Sequence, residues 1–154
     1  MLKYVNYSVV FQEIPDEVTL AINISNCPNH CKGCHSDYLM QDIGNILTTE
    51  SLDELVVPYL HDVTCICFMG GDADPTGIDS LAKWLKNRYP DIKRAWYSGK
   101  ESLPANFDMT SFEYVKVGPY IEGFGPLNSK TTNQRLYKIV DNQMIDITSR
   151  FWKK

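Results

Sequence analysis

Hydrophobic and polar positions alternate most clearly between residues 18 and 24. The even positions are Val18, Leu20, Ile22 and Ile24, and the odd positions between them are smaller or polar. A period of two residues is typical of a strand with one apolar face. Residues 7–13 have a similar composition, and Pro15-Asp16-Glu17 separates the two segments as a turn would. The pattern therefore predicts an opening β-hairpin whose second strand leads directly to Cys27.

Two other segments have the spacing of helices. Ser51-Leu52-Asp53-Glu54 matches a capping box, and apolar residues then recur every three or four positions, which predicts a helix from near Leu52. A second apolar stripe runs from Ile78 to Tyr89 and ends at Pro90.

Short apolar runs at residues 63–68, 92–97 and 114–117 predict buried strands, and residues 136–147 predict a terminal hairpin. Strands that alternate with helices favour a mainly parallel sheet. A complete eight-fold barrel needs about 250 residues. The predicted fold is therefore α/β, an open, partial (βα) barrel with a mainly parallel sheet and terminal hairpins, in a single domain over residues 1–154.

Composition narrows the environment and the partners. The chain has 154 residues, 44% of them hydrophobic, and a net charge of −4 with no basic tract, which argues against nucleic acid as a partner. The first residues lack the pattern of an export signal, and no apolar run has the length of a membrane span. We therefore expect a cytoplasmic protein that binds neither nucleic acid nor membrane.

Three cysteines carry the clearest chemical pattern. Cys27, Cys31 and Cys34 have the spacing C-x3-C-x2-C. Three thiolates can hold three irons of a 4Fe-4S cluster and leave the fourth iron open to a small molecule, whereas electron-transfer clusters take four cysteines. Structural zinc favours two separated pairs of ligands, and disulfide frameworks favour secreted chains. A non-enzymatic module that binds zinc or a cluster remains the alternative.

Unusual residues follow several predicted strands. Glycine-containing motifs stand at the ends of three apolar runs. They are Gly70-Gly71-Asp72, Ser98-Gly99 and Val117-Gly118. Ligands of open parallel sheets collect at the carboxyl ends of the strands, so these residues and the cysteine loop could face one cavity. The two glycines would let backbone approach a ligand closely, but a Gly-Gly pair is equally consistent with a simple turn.

The cysteine spacing resembles that of the radical S-adenosylmethionine (SAM) enzymes. Gly70-Gly71-Asp72, and the glycine before Cys34, resemble the activating enzymes of anaerobic ribonucleotide reductases. Trp96-Tyr97-Ser98-Gly99 is similar to that family's fourth-strand element. Gly118-Pro119, followed by residues 131–135, is similar to its carboxyl-terminal region.

This resemblance implies a 4Fe-4S cluster on Cys27, Cys31 and Cys34, with no catalytic residue beyond the cluster. It also implies that SAM is bound by Gly33, His35, Gly70, Gly71, Asp72, Ser98, Gly99 and Val117. A low-potential donor such as flavodoxin would reduce the cluster. SAM would then be cleaved to a 5′-deoxyadenosyl radical, which makes a glycyl radical on the glycyl-radical subunit of the reductase.

Two alternatives remain within the same chemistry. The substrate could be a small molecule, as for the deazapurine-forming enzymes, or the partner could be another glycyl-radical enzyme. Residues 118–135, which have no strand or helix period, are predicted to contact a protein partner. Cys65 and Cys67 lie on one face of a predicted buried strand, so we expect them to be core residues.

Overall fold

The computed structural model describes residues 2–29 and 37–152. Within these residues eight strands form one sheet in the order β3-β1-β2-β4-β5-β6-β7-β8. The strands are β1 (Lys3–Val10), β2 (Thr19–Ile24), β3 (Asn45–Ile46), β4 (Cys65–Met69), β5 (Lys93–Tyr97), β6 (Tyr114–Val117), β7 (Arg135–Val140) and β8 (Gln143–Asp146). The same residues contain two α-helices, α1 (Thr49–Val56) and α2 (Pro75–Arg88).

The sheet is mixed, so the predicted mainly parallel, open (βα) barrel is wrong. The strands β2, β4, β5 and β6 run parallel to one another. On both sides of this group the described strands pair in antiparallel fashion, β1 and β3 beside β2, and β7 and β8 beside β6. Two crossovers, β2 to β4 and β4 to β5, carry the helices α1 and α2. The crossover from β5 to β6 contains only the 3-10 turn Met109–Ser111 as regular structure, so the helical layer is incomplete.

Helix α1 begins earlier than the sequence pattern predicts. Thr48, not Ser51, is its amino-terminal cap, and Ser51 stands three residues inside the helix. The Thr48 hydroxyl accepts the Ser51 N–H at 3.1 Å, and the Ser51 hydroxyl accepts the Thr48 N–H at 2.8 Å. A serine hydroxyl thus completes the box where Glu or Gln is usual. This is why the sequence pattern predicts a helix start that is one turn too late.

The two faces of the sheet are buried differently. Leu20, Ile22 and Ile24 pack with residues of α1 and α2, which confirms the predicted alternation. On the opposite face Cys65 and Cys67 are fully buried with Ile14, beneath the loop that follows β1 and the 3-10 turn Thr148–Phe151. Burial raises the pKa of both thiols, as expected of core cysteines.

A buried carboxylate at the amino ends of the parallel strands contacts three polar side chains. Glu17, only 7% exposed, accepts hydrogen bonds from the hydroxyl of Thr64 at 2.7 Å and the phenol of Tyr114 at 2.8 Å. The ammonium of Lys93 lies 3.1 Å from the same carboxylate. The charge of Glu17 is therefore neutralised within the chain. We call these four residues the Glu17 cluster.

No helix among residues 2–29 and 37–152 is both long enough and apolar enough to cross a lipid bilayer.

Candidate functional site

The carboxyl ends of three parallel strands meet at a second buried carboxylate. Asp72, which follows β4 and is 8% exposed, accepts hydrogen bonds from three groups. The donors are the side-chain amide of Asn29 at 2.6 Å, the hydroxyl of Ser98 at 2.6 Å and the backbone N–H of Gly99 at 2.7 Å. Asn29 follows β2, and Ser98 and Gly99 follow β5, so one side chain joins three strand ends. We call these four residues the Asp72 clasp.

The glycines before Asp72 form a turn that other residues would strain. Gly70 and Gly71 have φ angles of +115° and +95°, where L side chains are disfavoured. A Cβ on Gly71 would lie 2.5 Å from the Cδ1 atom of Ile78 in the helix-side core. The fold itself therefore needs glycine at residue 71, and a substitution there would perturb packing as well as any ligand.

The first cysteine is held at the start of its loop by backbone contacts. The N–H of Cys27 donates to the carbonyl of Leu39 at 2.8 Å, and the N–H of Asn26 donates to Gln41 at 2.9 Å. These bonds bring residues 39–41 back beside the end of β2. Cys27 is partly exposed and has a free thiol. Of the other predicted site residues, Gly33 and His35 and the cysteines Cys31 and Cys34 lie outside the described residues.

Val117 differs from the other predicted contacts. Its side chain packs in the helix-side core rather than against the Asp72 clasp. The next residue, Gly118, donates its N–H to the carbonyl of Lys100 at 2.6 Å, which ties the end of β6 to the loop after β5. The structure thus brings together Cys27, Asp72, Ser98 and Gly99 through the clasp. It leaves the side chain of Val117 apart from them.

Neither Asn29 nor Lys116 is among the site residues predicted from the sequence. The Lys116 ammonium is buried beside the strand ends and donates to the carbonyls of Ser98 at 2.9 Å and Gly118 at 3.1 Å. It also lies 5.5 Å from the ring centre of Tyr97. For Asn29, the only clue in the sequence was its position between two cysteines of the motif. For Lys116, the only clue in the sequence was its position directly before Val117-Gly118.

An open cleft adjoins the clasp. Its volume is about 430 Å³, and its walls include Asp72, Ser98, Trp96 and residues 100–104. Sites for small molecules commonly have volumes of about 300–1,000 Å³. The cleft is therefore large enough for a ligand the size of a nucleoside derivative, with the Asp72 carboxylate in its wall.

The charge of Asp72 distinguishes this site from the opposite end of the sheet. The donors to Asp72 are an amide, a hydroxyl and a backbone N–H, all neutral. None of the ion pairs formed by the described residues includes Asp72. A buried carboxylate with neutral partners favours the approach of a cation. The site can therefore bind a positively charged group of a ligand.

Within the part of the chain that the structure describes, no group of three or more Cys, His, Asp or Glu residues is arranged to hold a metal ion. Two of the three predicted cluster cysteines are outside that part. The chain matches no family model, no curated protein and no solved structure.

Proposed function

We propose that the chain is a radical SAM enzyme that makes a glycyl radical on the large subunit of an anaerobic ribonucleotide reductase. The observation that carries this proposal is the Asp72 clasp. It joins the first residues of the cysteine motif to the Gly-Gly-Asp turn and to Ser98-Gly99. The proposed activity requires the cysteine motif and the SAM-binding motifs to be adjacent, and the clasp is consistent with this requirement.

The described residues fit the methionine end of SAM. Its amino group is a cation, and Asp72 offers a buried carboxylate whose protein partners are neutral. Gly99 is part of the same arrangement, since a Cβ there would lie 2.5 Å from the Asn29 amide nitrogen and would crowd the clasp. The adjoining cleft of about 430 Å³ has room for the nucleoside.

Cys27, Cys31 and Cys34 would hold the 4Fe-4S cluster. When bound, the cluster supplies the electron that cleaves SAM to methionine and a 5′-deoxyadenosyl radical. The backbone bonds of Asn26 and Cys27 hold the first thiol beside the clasp. The burial of Asp72 and Ser98 limits the access of water to this end of the sheet.

The partner would approach the same end of the sheet. The loop after β6 exposes two large apolar side chains, Ile121 at 37% and Phe124 at 49%. Apolar side chains beside a polar site are typical of surfaces that contact other proteins. Phe124 would therefore lie in the interface that brings the glycine of the reductase to the radical.

The proposal does not depend on a (βα) barrel. Function resides in the site, and the same site can be carried by different sheets. What the chemistry needs is that β2, β4 and β5 be parallel neighbours, so that their carboxyl ends meet at one edge. The antiparallel strands flank this arrangement and do not interrupt it.

Anaerobic reconstitution tests the proposal. The protein is loaded with iron and sulfide, reduced with dithionite and given SAM, and 5′-deoxyadenosine is measured by chromatography. We expect 5′-deoxyadenosine from the wild type and none from Cys27→Ala. Addition of an anaerobic ribonucleotide reductase large subunit should then yield a glycyl-radical signal in electron paramagnetic resonance (EPR).

Each result has a distinct meaning. A cluster without SAM cleavage would contradict the enzymatic proposal and favour a cluster-binding module. SAM cleavage without a glycyl radical would contradict the reductase as partner. It would favour a small-molecule substrate or another glycyl-radical enzyme.

A further inference from the structure

The side-chain amide of Asn29 lies between the Asp72 carboxylate and the first cysteine. Its nitrogen is 2.6 Å from the Oδ2 atom of Asp72 and 3.5 Å from the sulfur of Cys27. A primary amide has two N–H bonds, so one nitrogen can donate to both acceptors. Asn29 is thus a direct bridge from the carboxylate after β4 to the first predicted cluster ligand.

The orientation of this amide is determined by its neighbours. An ionised carboxylate only accepts hydrogen bonds, so the nitrogen of Asn29 must face Asp72, and its oxygen must face away. The backbone N–H of Gly99 donates to the same Oδ2 atom at 2.7 Å and fixes the position of the carboxylate. The cysteine sulfur therefore meets an N–H group and not a carbonyl oxygen.

Gly99 provides the space that the amide occupies. A Cβ on Gly99 would lie 2.5 Å from the amide nitrogen of Asn29 and 3.1 Å from its Cγ atom. Any residue other than glycine would therefore displace the amide from its place between Asp72 and Cys27.

We infer that Asn29 is a positioning residue that donates a hydrogen bond to the sulfur of Cys27 and thereby raises the reduction potential of the bound cluster. The inference rests on the proposed function, because it requires Cys27 to be a cluster ligand. Reduction adds negative charge to the cluster and its thiolates. An N–H group directed at a ligand sulfur stabilises the more negative state, and such bonds are among the factors that set cluster potentials.

The test compares midpoint potentials in reconstituted protein without SAM. Wild type, Asn29→Leu and Ser98→Ala are titrated with dithionite and redox mediators, and the reduced cluster is measured by EPR. Leucine has a similar size and no N–H, so the midpoint should shift to a more negative value. At the wild-type midpoint, the ratio of reduced to oxidised cluster should fall by about threefold or more.

Ser98→Ala is the matched control. Ser98 donates to the Oδ1 atom of Asp72, whereas Asn29 donates to Oδ2. The serine substitution therefore removes one bond of the clasp and leaves the contact with Cys27 intact. We expect its midpoint to equal that of the wild type. An equal shift in both variants would mean that the clasp acts only through general structure, and would overturn the inference.

A second variant covers the case in which Asn29→Leu does not assemble a cluster. Gly99→Ala retains every hydrogen-bonding group but displaces the amide, so its midpoint should also become more negative. If the wild type binds no cluster, the proposed function has failed. If the wild type binds a cluster and the variant that assembles one has the wild-type midpoint, this inference alone has failed.

Discussion

The two ends of the parallel strands each bury one carboxylate, and the two carboxylates differ in the charge of the groups that they contact. Glu17 at the amino ends and Asp72 at the carboxyl ends are 7% and 8% exposed. Glu17 is paired with the ammonium of Lys93, whereas the three donors to Asp72 are neutral. The chain itself neutralises the first charge. None of the ion pairs formed by the described residues includes the second.

The surroundings of the two carboxylates agree with this distinction. Beside the Glu17 cluster, Ile14 packs with the buried thiols of Cys65 and Cys67 in strand β4. Beside the Asp72 clasp lie an open cleft and the partly exposed Cys27. One end is thus closed by packing, while the other has an open cleft and a partly exposed thiol.

The largest expected effect separates the predicted cluster cysteines from the core cysteines. Cys27→Ala, Cys31→Ala and Cys34→Ala should each abolish a stable cluster after reconstitution, because each would remove one of the three proposed ligands. Cys65→Ala and Cys67→Ala should retain it, because both thiols are fully buried in the core. Iron and sulfide content and visible absorbance measure the outcome. Full cluster content in Cys31→Ala, or its loss in Cys67→Ala, would reverse the assignment.

Replacing each carboxylate by its amide should affect a different property of the protein. Asp72→Asn removes the charge that a cationic group of SAM would meet, so the Kd for SAM should rise about 10- to 100-fold, equivalent to about 1.4–2.8 kcal/mol. Glu17→Gln should leave that Kd unchanged. It should lower the free energy of unfolding by about 1–3 kcal/mol, because Lys93 loses its buried partner. Solvent around the partly exposed Lys93 ammonium keeps this loss moderate.

Isothermal titration of reconstituted protein and urea denaturation measure these two quantities. Equal losses of SAM affinity in both variants would mean that the two ends do not differ in the way we describe. An unchanged Kd in Asp72→Asn would remove Asp72 from the binding site.

Exposed aromatic residues at the two ends allow a test of where the partner binds. Phe124, in the loop after β6, is 49% exposed, and Phe11, directly after β1 at the amino end, is 70% exposed. Phe124→Ser should lower the yield of glycyl radical several-fold, because interface aromatics commonly contribute about 2 kcal/mol or more. Phe11→Ser should not lower it, and both variants should cleave SAM at the wild-type rate with dithionite. A greater loss in Phe11→Ser would place the partner at the opposite end.

The smallest effect concerns alkaline stability. Burial, followed by the neighbouring Glu17 carboxylate, raises the pKa of Tyr114 well above its usual value. A phenol whose pKa is raised on folding stabilises the protein fully below its unfolded pKa of about 10, and this contribution falls as the pH rises further. The stability of the wild type should therefore decline relative to Tyr114→Phe by up to about 1.4 kcal/mol per pH unit. Urea denaturation between about pH 9 and pH 11 measures this difference. Parallel declines in both proteins would contradict a buried phenol.

Local patterns in the sequence were sufficient for several features of this protein. The alternation in residues 18–24 identified the face of β2 that packs against the helices, since side chains on a strand alternate between its two faces. The positions of Gly70-Gly71-Asp72 and Ser98-Gly99 after apolar runs indicated that both belong to one edge of the sheet, and the Asp72 clasp joins them. These inferences needed only the period of a strand and the common direction of neighbouring parallel strands.

The tertiary structure alone decided the directions of the outer strands and the partners of the buried charges. An apolar run can form a parallel or an antiparallel ladder, because the backbone groups that pair are the same, so the mixed sheet was not predictable from the runs. Asn29 meets Asp72 across 43 residues, and Tyr114 meets Glu17 across 97. Such contacts depend on how the strands are ordered in the sheet. No local period of the sequence records that order.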